Sequence, residues 1–512
     1  MANALFATKP VDQLISDSEH SSGLKRTLGA WDLVLLGIGA IIGTGIFVLT
    51  GIAAANNAGP ALALSFVIAG VASAFAGLCY AEMAAMIPIA GSAYTYAYAT
   101  MGELMAWIIG WDLILEYLVG AATVSVGWSG YVTQFVKHVF GVQLPTEWTT
   151  SPFAWYEVGK TLPSGAVSTG QFWHNEGAYI NAPAVFITLA MTALLVRGVK
   201  ESARFNAIVV FVKVAVVLLF IAFVGRHVDR ANWEPFIPDQ AKDANGALIP
   251  GRFGFSGVVS GALTVFFAYI GFDAVSTAAQ ECKKPQRDLP IGILGSLAVC
   301  TVLYIAVSLI LTGVVPYTEL NVPHPVALGA QRAGIGWLET FIEIGAIAGL
   351  SSVMLVMLMG QPRIFYSMAR DGLLPKWAAK IHPKYGTPHV TTIVTGCVCA
   401  LAGGLLPIDI LGELCSIGTL FAFVLVCIGV MILRLQRPDL ERKFKVPGGP
   451  FLVPILGAGV CLYLMIMGAS AHTIERLVIW MAIGLAIYFV YGRKHSALRA
   501  QVAAADKAKP WN

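Results

Sequence analysis

Apolar stretches of about 20 residues, each long enough to cross roughly 30 Å of hydrocarbon as a helix, recur twelve times along this chain of 512 residues. They fall near 31–55, 60–87, 102–135, 180–197, 203–226, 255–281, 289–315, 339–369, 388–406, 410–436, 451–470 and 474–492. No other feature constrains the fold as much. In lipid every backbone N–H and C=O must find its partner inside the protein, and a helix satisfies them within its own segment. Composition agrees, because hydrophobic residues make up 57% of the chain and charged residues 12%, against about 25% charged in an ordinary soluble domain. Such a supply cannot build a soluble surface, so the chain reads as an all-α polytopic membrane protein.

The first apolar run starts after about thirty polar, mixed residues, later than a secretory signal would, so the first span is expected to be retained. The largest stretches outside the spans, 136–179 and 227–254, are too short to be separate domains. Lys and Arg number 24 on the side of the N-terminus and 8 on the other, with Lys213 inside a span. The excess of positive charge places both termini in the cytoplasm. Net charge is only +4 and no basic run is interleaved with aromatics, which sets nucleic acid aside as a partner. The eight cysteines lie in or beside apolar segments without metal-ligand spacing, as small apolar fillers. No metal or cofactor is expected.

Two spans contain sequences that a continuous helix would not choose. The first carries Gly37, Gly39, Gly43 and Gly45 within nine residues; the sixth reads Phe266-Phe-Ala-Tyr-Ile-Gly-Phe-Asp273. Spans one and six are five apart, so they correspond if spans 1–5 and 6–10 are inverted repeats, and paired interruptions of this kind point to a transporter's binding site. Gly37 and Gly39 read as packing positions, Gly43 and Gly45 as the break. The opening Gly-x-Gly is no dinucleotide fingerprint, since no acid lies between Asp32 and Glu82. An unwound turn frees N–H groups at the start of one half-helix and C=O groups at the end of the other, and helix dipoles favour a carboxylate at the first and an ammonium at the second. The N–H groups of Thr44, Gly45 and Ile46 are therefore expected to hold an α-carboxylate. The carbonyls of Phe267, Ala268 and Ile270, with that of Ile41, are expected to hold an α-ammonium. Together they describe an amino-acid zwitterion.

Ionisable residues inside the spans are costly and so carry roles. Lys213 lies about 15 Å deep at 1.5 Å per residue, with Ser351, Ser352 and the freed carbonyls of span one as expected partners. There its ammonium stands where a sodium-coupled transporter would bind its ion. Asp112 and Glu116 are four apart on one helix face; two carboxyls so close in a low dielectric do not both ionise readily. Glu116 reads either as a proton carrier or as a structural hydrogen-bond donor, Asp112 as structural. Asp273 reads either as an N-cap, with Ser276 reciprocating, or as a direct participant in gating and proton movement. Met357, in mid-span eight, reads as a wall at the side-chain end of the pocket that restricts the ligand to small or medium side chains, or as core filling. Glu82 and Glu413, near span ends, receive no role.

Six strings then carry a resemblance: the Gly37–Phe47 stretch, Pro88-Ile-Ala-Gly-Ser-Ala-Tyr-Thr-Tyr96, Gly110-Trp-Asp-Leu-Ile-Leu-Glu-Tyr117, Ala268-Tyr-Ile-Gly-Phe-Asp273, Lys284-Pro-Gln-Arg-Asp-Leu-Pro290 and Ala369-Arg-Asp-Gly-Leu-Leu-Pro375. The chain resembles bacterial members of the amino acid–polyamine–organocation superfamily, in the cationic-amino-acid-transporter branch. The resemblance implies twelve transmembrane helices as a five-plus-five inverted repeat with helices 1 and 6 broken, plus two C-terminal helices. The corresponding division is 1–30 cytoplasmic, 31–226 and 255–436 the repeats, 451–492 the last two spans, and 493–512 a cytoplasmic tail. It also implies a bacterial cytoplasmic membrane and proton coupling through Lys213. Two departures stand out: Gln280-Glu281 replaces the acidic pair common before Lys-x-Pro, and the loops at 136–179 and 227–254 are long for bacterial members.

The expected function is proton-coupled uptake of small or neutral L-amino acids by alternating access, with membrane lipid as surroundings. A carrier of Arg and Lys and an amino-acid exchanger are the alternatives. A sensor lacks an output domain, and a membrane hydrolase lacks His-Glu-x-x-His, Gly-x-Ser-x-Gly and a mid-span histidine, so no enzyme activity is expected. Paired breaks predict an occluded site, which disfavours an open channel. A small single-span partner subunit is neither required nor excluded by these residues.

Overall fold

The chain is mostly helical. Its structure, a computed structural model, describes residues 5–10, 27–87, 92–156, 172–175, 177–198, 203–243 and 245–501. Most of the N-terminal segment, residues 88–91 of one family string, the centre of the 136–179 loop, residues 199–202 and the tail from 502 lie outside the described residues.

Among the described residues, eight helices are long and apolar enough to cross a bilayer, and four shorter apolar helices accompany them. We number the main helices α1 (Ala30–Ile41), α2 (Leu62–Met86), α3 (Glu103–Phe140), α4 (Ala182–Arg197), α5 (Ala203–Leu219), α6 (Gly254–Phe266) and α7 (Pro285–Val314). They continue as α8 (Gly336–Arg370), α9 (His389–Leu405), α10 (Ile408–Gln436), α11 (Leu452–Tyr463) and α12 (Ala471–Ile487). α3 runs to Phe140 rather than stopping near 135, and Gly141 ends it in the left-handed region at φ +67. The all-α expectation needs one correction. The loop after α3 carries a two-stranded antiparallel hairpin, β1 (Phe153–Tyr156) with β2 (Phe172–Asn175), pairing Trp155 with Trp173.

The helices sort into two packed groups. α7 lies along α1 and α2, and α6 along α2; α8 lies along α3, α9 along α4, and α4 along both α3 and α8. The inner faces are apolar and fully buried, while large apolar residues such as Phe186, Phe211, Val302 and Val490 face outward, as helices surrounded by lipid require.

Both expected breaks are present. α1 stops at Ile41, Ile42 is extended (φ −72, ψ 104), and the chain winds again through Thr44 into a π-helical turn, Gly45–Leu49. α6 stops at Phe266 and passes through a 3-10 turn, Phe267–Tyr269. Ile270 is then extended, Gly271 takes φ +114, and the short helix Ala274–Thr277 and a 3-10 turn, Ala279–Glu281, follow. Glycine is the residue that reaches φ +114 without strain, and a Cβ there would also stand 3.0 Å from the Ala40 carbonyl group.

Two carboxylates without an assigned role in the sequence tie helix ends together. Glu82, at the end of α2, accepts from Arg434 Nε and from the Val446 N–H, both at 2.8 Å, with Arg442 Nε at 3.5 Å. Glu413 accepts from Thr473 Oγ1 at 2.6 Å, joining α10 to α12. Just ahead of α1, the N–H groups of Thr27 and Leu28 donate to the Glu281 carbonyl at 2.9 and 3.0 Å, and Lys283 N–H donates to Leu28 O at 2.9 Å. Leu28 and Cys282 thus form a parallel bridge that latches the head of α1 to the strand entering α7.

Candidate functional site

The two breaks meet. A Cβ on Gly45 would collide with the backbone of Ala268, so the restart of the first broken helix and the 3-10 turn of the second are in direct contact. Glycine at 45 makes that approach sterically feasible. Gly43 faces Val353 of α8, and Gly37 packs on Ser296 and Val275, consistent with a packing role for the latter. Thr44, Gly45, Ile46, Phe267, Ala268 and Ile270 are all buried. The Thr44 hydroxyl, at the head of the rewound helix, is buried with no hydrogen-bond partner among the described residues. It faces Gly127 of α3, where a Cβ would lie 3.0 Å from the Thr44 methyl.

The carbonyls at the other ends of the breaks are also gathered, and by a residue that sequence reasoning did not single out. The Tyr304 hydroxyl of α7 lies 2.9 Å from Ile41 O and 3.0 Å from Ala268 O, its single proton shared between the two breaks. Phe267 O accepts the N–H of Ile270 at 3.2 Å. Three of the four carbonyls expected to hold an ammonium are therefore engaged by protein donors here. Tyr304 sits in a long apolar helix with no glycine or charge beside it, so its spacing held no signal.

Lys213 is fully buried, and its ammonium donates to Gly39 O, in the last turn of α1, at 2.8 Å. That is where the carbonyls of a half-helix concentrate partial negative charge. Gly349 of α8 lies against the Lys213 stem, where a Cβ would stand a tight 3.1 Å from Cε. Ser352 donates to Gly349 O at 3.0 Å. Ser351 donates to Ile347 O at 2.8 Å and accepts from the Trp128 indole at 3.0 Å.

Around Glu116 the geometry departs from the simple expectation. Residues Leu115–Val119 form a π-helical turn, which changes the spacing of 3.6 residues per turn on which the shared face of Asp112 and Glu116 rested. The turn brings Glu116 and Tyr117 toward the second break. Tyr117 donates to Asp273 Oδ2 at 3.0 Å, and the Glu116 carboxyl lies beside that of Asp273. The expected N-cap is corrected accordingly: among the described residues the Asp273 side chain makes no cap bond to Ala274–Thr277, because it is drawn to Tyr117, and Ser276 donates to Asp273 O at 2.6 Å. Among the described residues, both Glu116 oxygens and Asp273 Oδ1 are buried without a hydrogen-bond partner, as are both oxygens of Asp112. The structural hydrogen bond expected of Asp112 is absent among the described residues.

Met357 is buried in α8 with its sulfur toward Gly120 of α3, where a Cβ would lie 3.2 Å from both Met357 Sδ and Cys415 Sγ. Cys415 in turn donates to Glu116 O at 3.4 Å. Met357, Cys415 and the Glu116 turn thus form one wall across α8, α10 and α3.

Comparison with known proteins gives concordant results. A family model described as amino acid permease matches residues 28–489. The chain is 50% identical to the branched-chain amino acid permease BcaP of Bacillus subtilis, over 97% of this chain and all of that protein. It is 45% identical to the methylthioribose transporter of the same organism, over 97% of this chain and 99% of that one. It is also 37% identical to the vacuolar cationic amino acid transporter 4 of Arabidopsis thaliana, over 85% of this chain and 68% of that one. All three relatives carry the names of transporters, none of an enzyme.

Proposed function

The chain belongs to the amino acid permease family, and from that premise we propose that it takes up L-amino acids across a bacterial cytoplasmic membrane as a secondary, proton-coupled symporter. The observation that carries this reading is the meeting of the two breaks, Gly45 against Ala268, with freed N–H groups on one side and the carbonyls of Ile41 and Ala268 on the other. The ligand complementary to that pair of helix ends is a zwitterion. On this reading Thr44, Gly45 and Ile46, beside Gly43, receive the carboxylate. An arriving ammonium displaces the Tyr304 hydroxyl from Ile41 O and Ala268 O, with Phe267 and Ile270 completing the cradle.

Twelve crossings in a five-plus-five inverted repeat with two further helices accommodate the packing. The group α1, α2, α6, α7 and the group α3, α4, α8, α9 contain the packed pairs α2–α7, α3–α8 and α4–α9, each five apart in order. Movement of one group against the other, with the breaks between them, supplies alternating access. Repeats at 31–226 and 255–436, spans at 451–492 and cytoplasmic ends at 1–30 and 493–512 follow, with the positive charge inside.

Lys213 on Gly39 O is a fixed cation at the carbonyl end of α1, its stem packed on Gly349, whose carbonyl accepts from Ser352. Its charge does there what a sodium ion would do, and its neutralisation frees the half-helix to move. Glu116 and Asp273 lie side by side with three of their four oxygens lacking a donor, an arrangement that a shared proton satisfies. Met357, at the wall formed with Cys415, restricts the side chain to a small or medium apolar one. The name of the relative at 45% identity favours one further reading, a thioether sugar as substrate, which has no ammonium for the carbonyls.

Purified protein in liposomes with an inward proton gradient tests these readings together. Accumulation of branched-chain or small neutral amino acids, abolished by a protonophore and reduced at least tenfold in Lys213→Ala, is expected. Gradient-independent uptake, or wild-type accumulation by Lys213→Ala, overturns the coupling. Uptake of methylthioribose alone overturns the zwitterion site.

A further inference from the structure

On the side of the molecule that carries the excess of basic residues, a cavity of about 850 Å³ opens between the start of α7 and the segment after α10. Four cations line it, Lys283, Lys284 and Arg287 from one segment and Lys443 from the other, together with the apolar Ile291, Leu294 and Phe444. All four cationic residues are exposed. Among the described residues no carboxylate forms an ion pair with any of them. The nearest acid on α7, Asp288, is buried and turned to the Lys284 N–H at 3.2 Å, and Glu281 lies within electrostatic reach of Arg363. Three other basic residues at this end are committed differently: Arg434 and Arg442 clasp Glu82, and Arg499 clasps Glu103.

The apolar side of the cavity does not stop at its rim. Ile291 and Gly295 continue along α7 into Ala298, Val299 and Val302, at helical spacing and facing outward. A ligand that satisfies both halves has a phosphate-bearing head for the four cations and a hydrocarbon tail for the stripe. A soluble phosphate ester satisfies only the first half, a neutral lipid only the second. Basic pockets between helices on the cytoplasmic side recognise acidic headgroups in this way.

We propose that this cavity is a binding site for an anionic phospholipid of the cytoplasmic leaflet, held by Lys283, Lys284, Arg287 and Lys443 with an acyl chain along Ile291 and Val302. The cationic segment begins next to Cys282, whose backbone is bridged to Leu28 at the head of α1. A bound lipid therefore steadies the strand to which the first broken helix is latched.

The site is independent of the transported substrate and is tested without it. The full chain, purified in a neutral detergent, is titrated with phosphatidylglycerol, with phosphatidylcholine of the same chains, and with glycerol 3-phosphate. Melting temperature and lipid adducts in native mass spectra are read together. Phosphatidylglycerol is expected to raise the melting temperature by several degrees and to leave a retained adduct, while the other two do neither. Arg287→Gln combined with Lys443→Gln is expected to remove at least half of that shift, as is Leu294→Trp, which fills the apolar wall without touching charge. A cooperative melting transition without lipid, at the wild-type temperature, identifies each variant as folded. An equal shift from phosphatidylcholine, or a full phosphatidylglycerol shift in both variants, overturns the proposal. An equal shift from glycerol 3-phosphate overturns the lipid and leaves a soluble phosphate ester as the occupant.

Discussion

A β-carbon at position 45 would run into the Ala268 backbone, and backbone cannot swing aside as a flexible side chain can. Gly45→Ala is therefore expected to separate the two breaks or strain both. Overpacking a tight core costs about 1–3 kcal/mol, and the loss is measured as a lowered melting temperature together with at least a tenfold loss of uptake. At the opposite end of the proposed site, Met357 is the proposed wall. Met357→Ser opens space beside Gly120 and Cys415, and competition against a labelled neutral amino acid is expected to shift preference by tenfold or more toward longer side chains. An unchanged profile removes Met357 from the pocket. His324, outside the spans, starts the short helix Pro325–Arg332. Burial, with Lys137 nearby, holds its imidazole at a pKa of about 4 against the usual 6.5. A depressed base contributes nothing above the unfolded pKa, where both states are neutral. As pH falls from about 6.5 to 4 the unfolded chain takes up the proton first, so stability declines by about 3 kcal/mol. His324→Gln is expected to flatten that part of the melting-temperature profile.

Between elements, buried carboxylates act as clasps. Glu82 holds Arg434, Arg442 and the Val446 N–H, fixing the end of α2 to the end of α10. Glu103 holds Tyr488 Oη at 2.9 Å and Arg499 Nε at 2.8 Å, fixing the start of α3 to the chain after α12. Removing one partner of a buried pair leaves the other charge without compensation and costs about 3–5 kcal/mol. Glu82→Ala is accordingly expected to lower the melting temperature by several degrees, and Arg434→Ala to do the same without adding to it in the double variant, since both break one contact. Additive losses in that cycle indicate separate roles. Neither clasp was legible in the sequence. Glu82 and Arg434 are 352 residues apart, and charge near a span end looks alike whether it serves orientation or pairing. The π turns at Gly45–Leu49 and Leu115–Val119 were hidden for a related reason. An extra residue in a helical turn leaves the hydrophobic pattern nearly unchanged, yet it decides that Tyr117 reaches Asp273.

For the whole molecule, the proposed cycle joins three buried features that lie on different helices: Lys213 on Gly39 O, Tyr304 across Ile41 O and Ala268 O, and Glu116 beside Asp273. Binding energy at the breaks becomes movement only if the ligand interacts differently with the two arrangements of the helix groups, and replacement of the Tyr304 hydroxyl by an ammonium is such a difference.

Hydrophobic length, glycine clusters and isolated charges are local properties, so the helical membrane character, the breaks at Gly43–Gly45 and Gly271, and the placing of Lys213, Glu116 and Asp273 within the spans could be read from residue order alone. Partnership is not local. That Gly45 abuts Ala268, that Asp273 turns to Tyr117 instead of capping its own helix, and that Tyr304 bridges both breaks depend on which helix faces lie together. Each helix offers several faces of similar apolarity, and only their packing selects one.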